Sequence, residues 1–143
     1  EAINDVRGAF RRGKWSRKID QRLIESLDDP REAAAVLMYQ VADYDGAVTD
    51  AQKAAIVDQM RTVFDADEET AHGLYAVGRM AVGQINDAGN NLSKILRPVK
   101  DMCTDEERQQ LIGMLDAVSA VEGSATDAQK RLISEAQRIL LPA

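Results

Sequence analysis

Cysteine, histidine and aromatic side chains are nearly absent from this sequence. One Cys, Cys103, and one His, His72, occur in 143 residues. A single thiol closes no disulfide within the chain, and one Cys with one His builds no Cys/His zinc site. Aromatics make up 4% of the residues, so Ala, Leu, Ile, Val and Met must fill the core, a composition suited to close helix packing. No apolar run is long enough to span a bilayer as a helix. There is no secretory signal pattern, no Gly-rich phosphate loop after a strand and no His-Glu-x-x-His motif. No alternating apolar–polar stretch bounded by turn residues predicts a strand. The first residue, Glu1, predicts a piece of a longer chain or a processed form.

What charge there is lies unevenly. The net charge is −6. Residues 7–22 carry seven basic side chains against Asp20 alone, whereas residues 23–143 carry 11 basic and 21 acidic ones. A basic N-terminal arm, residues 1–22, thus precedes an acidic domain, residues 23–143. Ordinary apolar content over this length predicts one domain with a proper core.

The most informative feature is a repeat. Thr49-Asp50-Ala51-Gln52-Lys53 returns as Thr126-Asp127-Ala128-Gln129-Lys130, an offset of 77 residues. Across 45–61 and 122–138, 8 of 17 positions are identical, including Gly46/Gly123, Ile56/Ile133 and Arg61/Arg138. Such self-similarity predicts a fold built from two related halves, about 30–66 and 105–143.

Periodicity and capping signals predict helices throughout. Ile19, Leu23, Ile24 and Leu27 share one helical face. Asp29 can cap a following helix with Pro30 at its first position, running to about Tyr44 with Ala33, Ala34 and Ala35 allowing close approach. Thr49 with Gln52, Thr104 with Glu107 and Thr126 with Gln129 form capping boxes that open three more helices. The acids Asp67, Glu68 and Glu69 start another, with Leu74, Val77, Met80 and Ala81 as its apolar stripe and a break at Gly83. A helix over about 86–97 is expected to end at Pro98. The expectation is an all-α single domain of about six to eight helices in two pseudo-symmetric helical halves, the repeat helices pairing as two hairpins.

Just upstream of each repeated cap lies an acidic-Gly loop. Asp43-x-Asp45-Gly46-x-Val48-Thr49 matches the middle of a Ca²⁺-binding EF-hand loop, but Val41 and Gln52 stand where the first and last ligands belong. The second loop has Ala120 and Glu122 at the equivalent middle positions and Gln129 at the last. Turn and cap chemistry accounts for Gly, Thr and Gln without a ligand. A divalent cation is the one cofactor the loops suggest, with Asp43, Asp45 and Glu122 as ligands if the fold brings them together.

On these residues the chain resembles the TerB-like group, which comprises the tellurite-resistance TerB family and a helical module that precedes the J-domain in a DnaJ-like membrane chaperone. The resemblance lies in a helix, an Asp-Gly turn, a Ser/Thr cap and an acid-opened helix, used twice: Val41 to Gln52 and again Val118 to Lys130. It implies an all-α domain of two related halves and a cytoplasmic, membrane-associated, stress-linked role with an acidic metal-binding surface. Asp45 and Glu122 stand at the Asp-Gly positions of the family pattern. Gln52 and Gln129 stand where that pattern carries a helix-opening Glu.

Other residues read more plainly. Arg11, Arg12, Lys14, Trp15, Arg17 and Lys18 are candidates for contact with an anionic membrane surface or a partner, the alternatives being a solvated basic face with Trp15 packed on the body. Nucleic acid is not expected, because the body is acidic and carries no binding motif. His72 lacks catalytic partners in sequence, and Cys103 reads as structural. No catalytic residues are assigned. The resulting expectation is a non-enzymatic interaction or scaffold module with protein partners, a second copy of itself among them, in the cytoplasm and peripheral at the inner membrane. A cation-binding module is the alternative, and an enzyme ranks third.

Overall fold

The computed structural model describes residues 8–16, 23–44, 46–85 and 88–141. Among them are six α-helices and no strand: α1 (Pro30–Asp43), α2 (Asp50–Val63), α3 (Glu68–Gly83), α4 (Ala88–Met102), α5 (Asp105–Ser119) and α6 (Asp127–Leu140), preceded by one 3₁₀ turn, Ile24–Ser26. The all-helical expectation holds.

Helix α1 is the axis of the molecule. It touches every other helix and packs most extensively on α3. Its buried residues run almost without interruption from Pro30 to Ala42, including Arg31, Glu32 and Gln40. Asp29 caps it as expected, accepting from Arg31 N at 2.8 Å. The same carboxylate takes the Arg31 guanidinium through two further bonds of 3.1 and 2.8 Å, so the buried cation is fully paired. Close approach of α3 requires a glycine that the sequence pattern did not single out. A Cβ at Gly78 would sit 2.6 Å from the Ala35 carbonyl oxygen.

The turn and capping hydrogen bonds recur in both halves. Gly46 N donates to Asp43 O and Gly123 N to Ala120 O, both at 3.3 Å. Gly46 (φ 143°) and Gly123 (φ 118°) adopt left-handed backbone that disfavours a side chain. Thr49 and Thr126 then cap α2 and α6 with complete capping boxes. The pairs α1·α2 and α5·α6 form the two hairpins, and the crossed contacts α2·α5 and α1·α6 knit them together.

Three local expectations are corrected. Pro98 does not end its helix but lies inside α4, which continues to Met102. Ile95, Leu96, Pro98 and Val99 are all buried, and this packing outweighs the one lost backbone bond. Gly83 ends α3, where the break in the pattern was expected. Met80 is 36% exposed, because the buried stripe of α3 runs through Leu74, Val77, Gly78 and Ala81. The expected helix over 19–27 is only a 3₁₀ turn within its described part, where Leu23, Ile24 and Leu27 are nevertheless buried; residues 19–22 lie outside the described residues.

Candidate functional site

The two acidic-Gly turns meet. Thr49 Oγ1 donates to Glu122 Oε2 at 2.6 Å, joining turns 73 residues apart. On the other side, Gln129 Nε2 donates to Val41 O at 2.9 Å, tying the start of α6 to the end of α1. Between these ties lies a cleft of about 300 Å³, lined by Ala42, Gly46, Gln52, Ser119, Glu122 and Ser124 among others. Both repeated helix starts therefore face one cleft.

Thr49 does more than one job here. Thr49 Oγ1 accepts from Gln52 N at 3.1 Å while donating to Glu122. Gln52 Oε1 accepts from Thr49 N at 2.9 Å, and Gln129 Oε1 accepts from Thr126 N at 3.0 Å. The glutamine oxygens are thus committed to the caps. Gln129 uses its nitrogen as well. Gln52 Nε2 makes no hydrogen bond to the equivalent Val118 O, nor to any other described residue. At 8% exposure, Gln52 leaves its amide donor facing the cleft.

Of the three carboxylates expected to converge, Glu122 stands at the cleft mouth, exposed and engaged with Thr49. Asp43, at the end of α1, is half-buried and its carboxylate makes no hydrogen bond or ion pair with a described residue. Burial raises its pKa above the ordinary carboxylate value. Asp45 lies outside the described residues. Among the described residues no three His, Cys, Asp or Glu side chains group closely enough to hold a metal ion.

The described part of the basic arm, residues 8–16, lies on the body. Phe10 is 2% exposed, its ring 4.9 Å from that of Phe64, and its N–H donates to Glu107 Oε2 at 3.3 Å. The Trp15 indole N–H donates to Glu32 Oε2 at 2.8 Å, and its ring covers Gly73, where a Cβ would come within 2.8 Å of it. Arg31 Nη1 donates to Gly13 O at 2.8 Å. Arg11, Arg12 and Lys14 remain exposed. The packing of Trp15 on the body is thus the arrangement adopted, with the neighbouring cations facing outward. Arg17 and Lys18 lie outside the described residues.

His72 is exposed on α3, 3.9 Å from Glu68. Cys103 is buried, and desolvation, reinforced by Glu107, pushes its thiol up to about 12. Neither residue is poised for nucleophilic chemistry.

The family model described as tellurite resistance protein TerB matches residues 31–141. The chain belongs to the TerB family. The match begins in α1 and takes in both turns and the cleft, while the docked arm precedes it. No curated protein and no solved structure matches the chain.

Sequence reasoning located the TerB turns but missed the cleft's chemistry. A signal was present in the repeat itself. Ala42 and Ala47 of the first half correspond to Ser119 and Ser124 of the second at the 77-residue offset, and all four line the cleft. The serine hydroxyls therefore come from one half only, while Thr49 and Thr126 supply one hydroxyl from each half.

Proposed function

We propose that this chain is a non-enzymatic TerB-family module that binds protein partners through the face shared by its two turns. The assembly it serves is a tellurite- or stress-response complex on the cytoplasmic side of the inner membrane. The observation that carries this reading is the Thr49–Glu122 contact, which makes one surface from two repeated turns. A pair of caps needed only for folding has no requirement to share a cleft. The TerB family match supports the setting.

The arm supplies the membrane contact in this reading. Arg11, Arg12 and Lys14 point outward, and each basic residue near an anionic surface contributes about 1 kcal/mol. Deleting the arm would also remove Phe10 from the core. Charge neutralisation is therefore the cleaner variant: Arg11, Arg12, Lys14, Arg17 and Lys18 changed to Gln should abolish sedimentation with phosphatidylserine vesicles, and undiminished sedimentation removes the arm's role.

The partner face is tested by a photo-crosslinking side chain placed at Ser124, in the cleft lining, or at Glu135, on the exposed face of α6. A defined adduct in cells from position 124 and none from 135 is expected. Equal yields, or none from 124, defeat the proposal.

A second reading is a divalent-cation module, favoured by the half-buried, unpartnered Asp43 carboxylate. Asp43 and Glu122 would be ligands, with Asp45 as the third. The amide oxygens of Gln52 and Gln129 are held by the caps and do not serve. Calorimetric titration with Ca²⁺, Mg²⁺, Mn²⁺ and Zn²⁺ decides it: saturable heat lost in Asp43→Asn supports the cation, and no heat with any ion excludes it.

A further inference from the structure

The described part of the arm is fitted to the body, and every polar contact in the fit falls on a buried charge. Trp15 Nε1–H donates to Glu32 Oε2, Phe10 N–H donates to Glu107 Oε2, and Gly13 O accepts from Arg31 Nη1. Arg31, Glu32 and Glu107 are the buried charged side chains among the described residues. Glycines permit the approach. Gly8 has a φ of 51°, and a Cβ there would collide with the Glu107 carboxylate; Gly73 lies directly under the Trp15 ring. All the body residues named fall within the family match, residues 31–141, whereas the arm lies outside it. A family domain thus carries a surface that a segment from outside the domain covers.

The cover can leave without orphaning the caps beneath it. Arg31 keeps both carboxylate oxygens of Asp29, at 3.1 and 2.8 Å. Glu107 keeps the Thr104 N–H through its other oxygen, Oε1, at 3.0 Å. What undocking does cost is apolar burial, of Phe10 against Phe64 and of Trp15 over Gly73. A bilayer interface offers the same two aromatic rings an alternative burial. Between them in sequence stand Arg11, Arg12 and Lys14, which are exposed and make no ion pair with a described residue. No salt bridge is therefore broken when these cations meet an anionic surface, and their attraction to it is added to the lipid side of the balance.

We propose that the arm is a releasable strap. Away from membranes it is docked; on an anionic bilayer Phe10 and Trp15 pass from the body into lipid. Their departure uncovers the surface formed by Arg31, Glu32, Phe64, Gly73 and Glu107. The device rests on the reading of the arm as a membrane contact and adds to it the exchange of the two aromatics between body and lipid. Docking and insertion then compete for the same side chains. A change that loosens docking without altering the arm must tighten membrane binding, a result that a purely structural role for the arm does not give.

Trp15 is the only Trp in the chain, so its fluorescence reports the strap directly. The test mixes the full chain with vesicles of phosphatidylserine and phosphatidylcholine, the latter with plain or brominated acyl chains. Sedimentation with the vesicles, together with quenching of Trp15 by the brominated lipid alone, is expected. Sedimentation without quenching overturns the strap and leaves the docked arm as the membrane contact. No sedimentation removes both readings. The second variant is Gly73→Ala, whose Cβ would come within 2.8 Å of the docked indole and which alters nothing in the arm. Crowding the docked state in this way should tighten vesicle binding about fivefold or more. Its Trp15 emission in the absence of vesicles should shift to longer wavelength, as the ring moves toward water. Vesicle binding by Gly73→Ala that is unchanged or weaker than that of the wild type overturns the proposal.

Discussion

Thr49 Oγ1 lies 2.6 Å from Glu122 Oε2, so the cap of α2 is bonded to the turn that precedes the cap of α6. This one contact changes the meaning of the repeat. Two capped helix starts could have faced opposite sides of the bundle. Instead they share a cleft, and the residues that differ between the repeats, rather than those that match, give that cleft its chemistry.

Close packing of α1 on α3 depends on Gly78. Its replacement by Ala would place a Cβ 2.6 Å from the Ala35 carbonyl oxygen, which belongs to rigid backbone. Gly78→Ala should therefore lose about 1–3 kcal/mol through overpacking, despite the better helix propensity of Ala. Gly113, on the exposed side of α5 with nothing within 4 Å of a new Cβ, is the control. Gly113→Ala should gain about 0.5–1 kcal/mol. Urea unfolding of the two variants checks both signs.

The arm is part of the fold as well as a surface. Phe10 is almost fully buried against Phe64, and its N–H is held by Glu107. Phe10→Ala should cost about 3 kcal/mol, measured by the same unfolding curves, whereas Arg12→Gln should leave stability within about 0.5 kcal/mol because Arg12 is exposed.

Asp43 predicts a pH-dependent effect. Burial raises its folded pKa, so its neutral form is the stabilising one: that contribution is present below the ordinary value of 3.8 and is lost as pH rises through the folded value. Near neutral pH the ionised carboxylate is a cost. Asp43→Asn should melt at a higher temperature than the wild type near neutral pH, and the difference should vanish below about pH 3.8. Thermal melts in metal-free buffer measure this. Added divalent cation that raises the wild-type melting temperature above that of Asp43→Asn would favour the cation reading.

Much of the fold was legible because the strongest local signals were hydrogen-bonding ones. Asp29 before Pro30 and the three Thr boxes each name a helix start, and no tertiary contact is needed to read them. Pro98 misled because its local cost is visible in sequence while the burial of Ile95, Leu96 and Val99 that overrides it is not. Gly78 was silent for the same reason, since only the approach of Ala35 gives it a role. At the site, Glu122 and the two glutamines could be named, but their partners could not. Val41 lies 88 residues from Gln129, and nothing local distinguishes a glutamine amide that finds a carbonyl from one that does not.

The coupling between Thr49 and Glu122 tests the account most directly. A double-mutant cycle on Thr49→Ala and Glu122→Ala, read by urea unfolding, isolates their interaction from the capping loss of about 1 kcal/mol expected for Thr49→Ala alone. A favourable coupling of about 0.5 kcal/mol or more is predicted for a hydroxyl bonded to a carboxylate. Strict additivity of the two substitutions would mean that the turns do not form one surface, and would contradict the account.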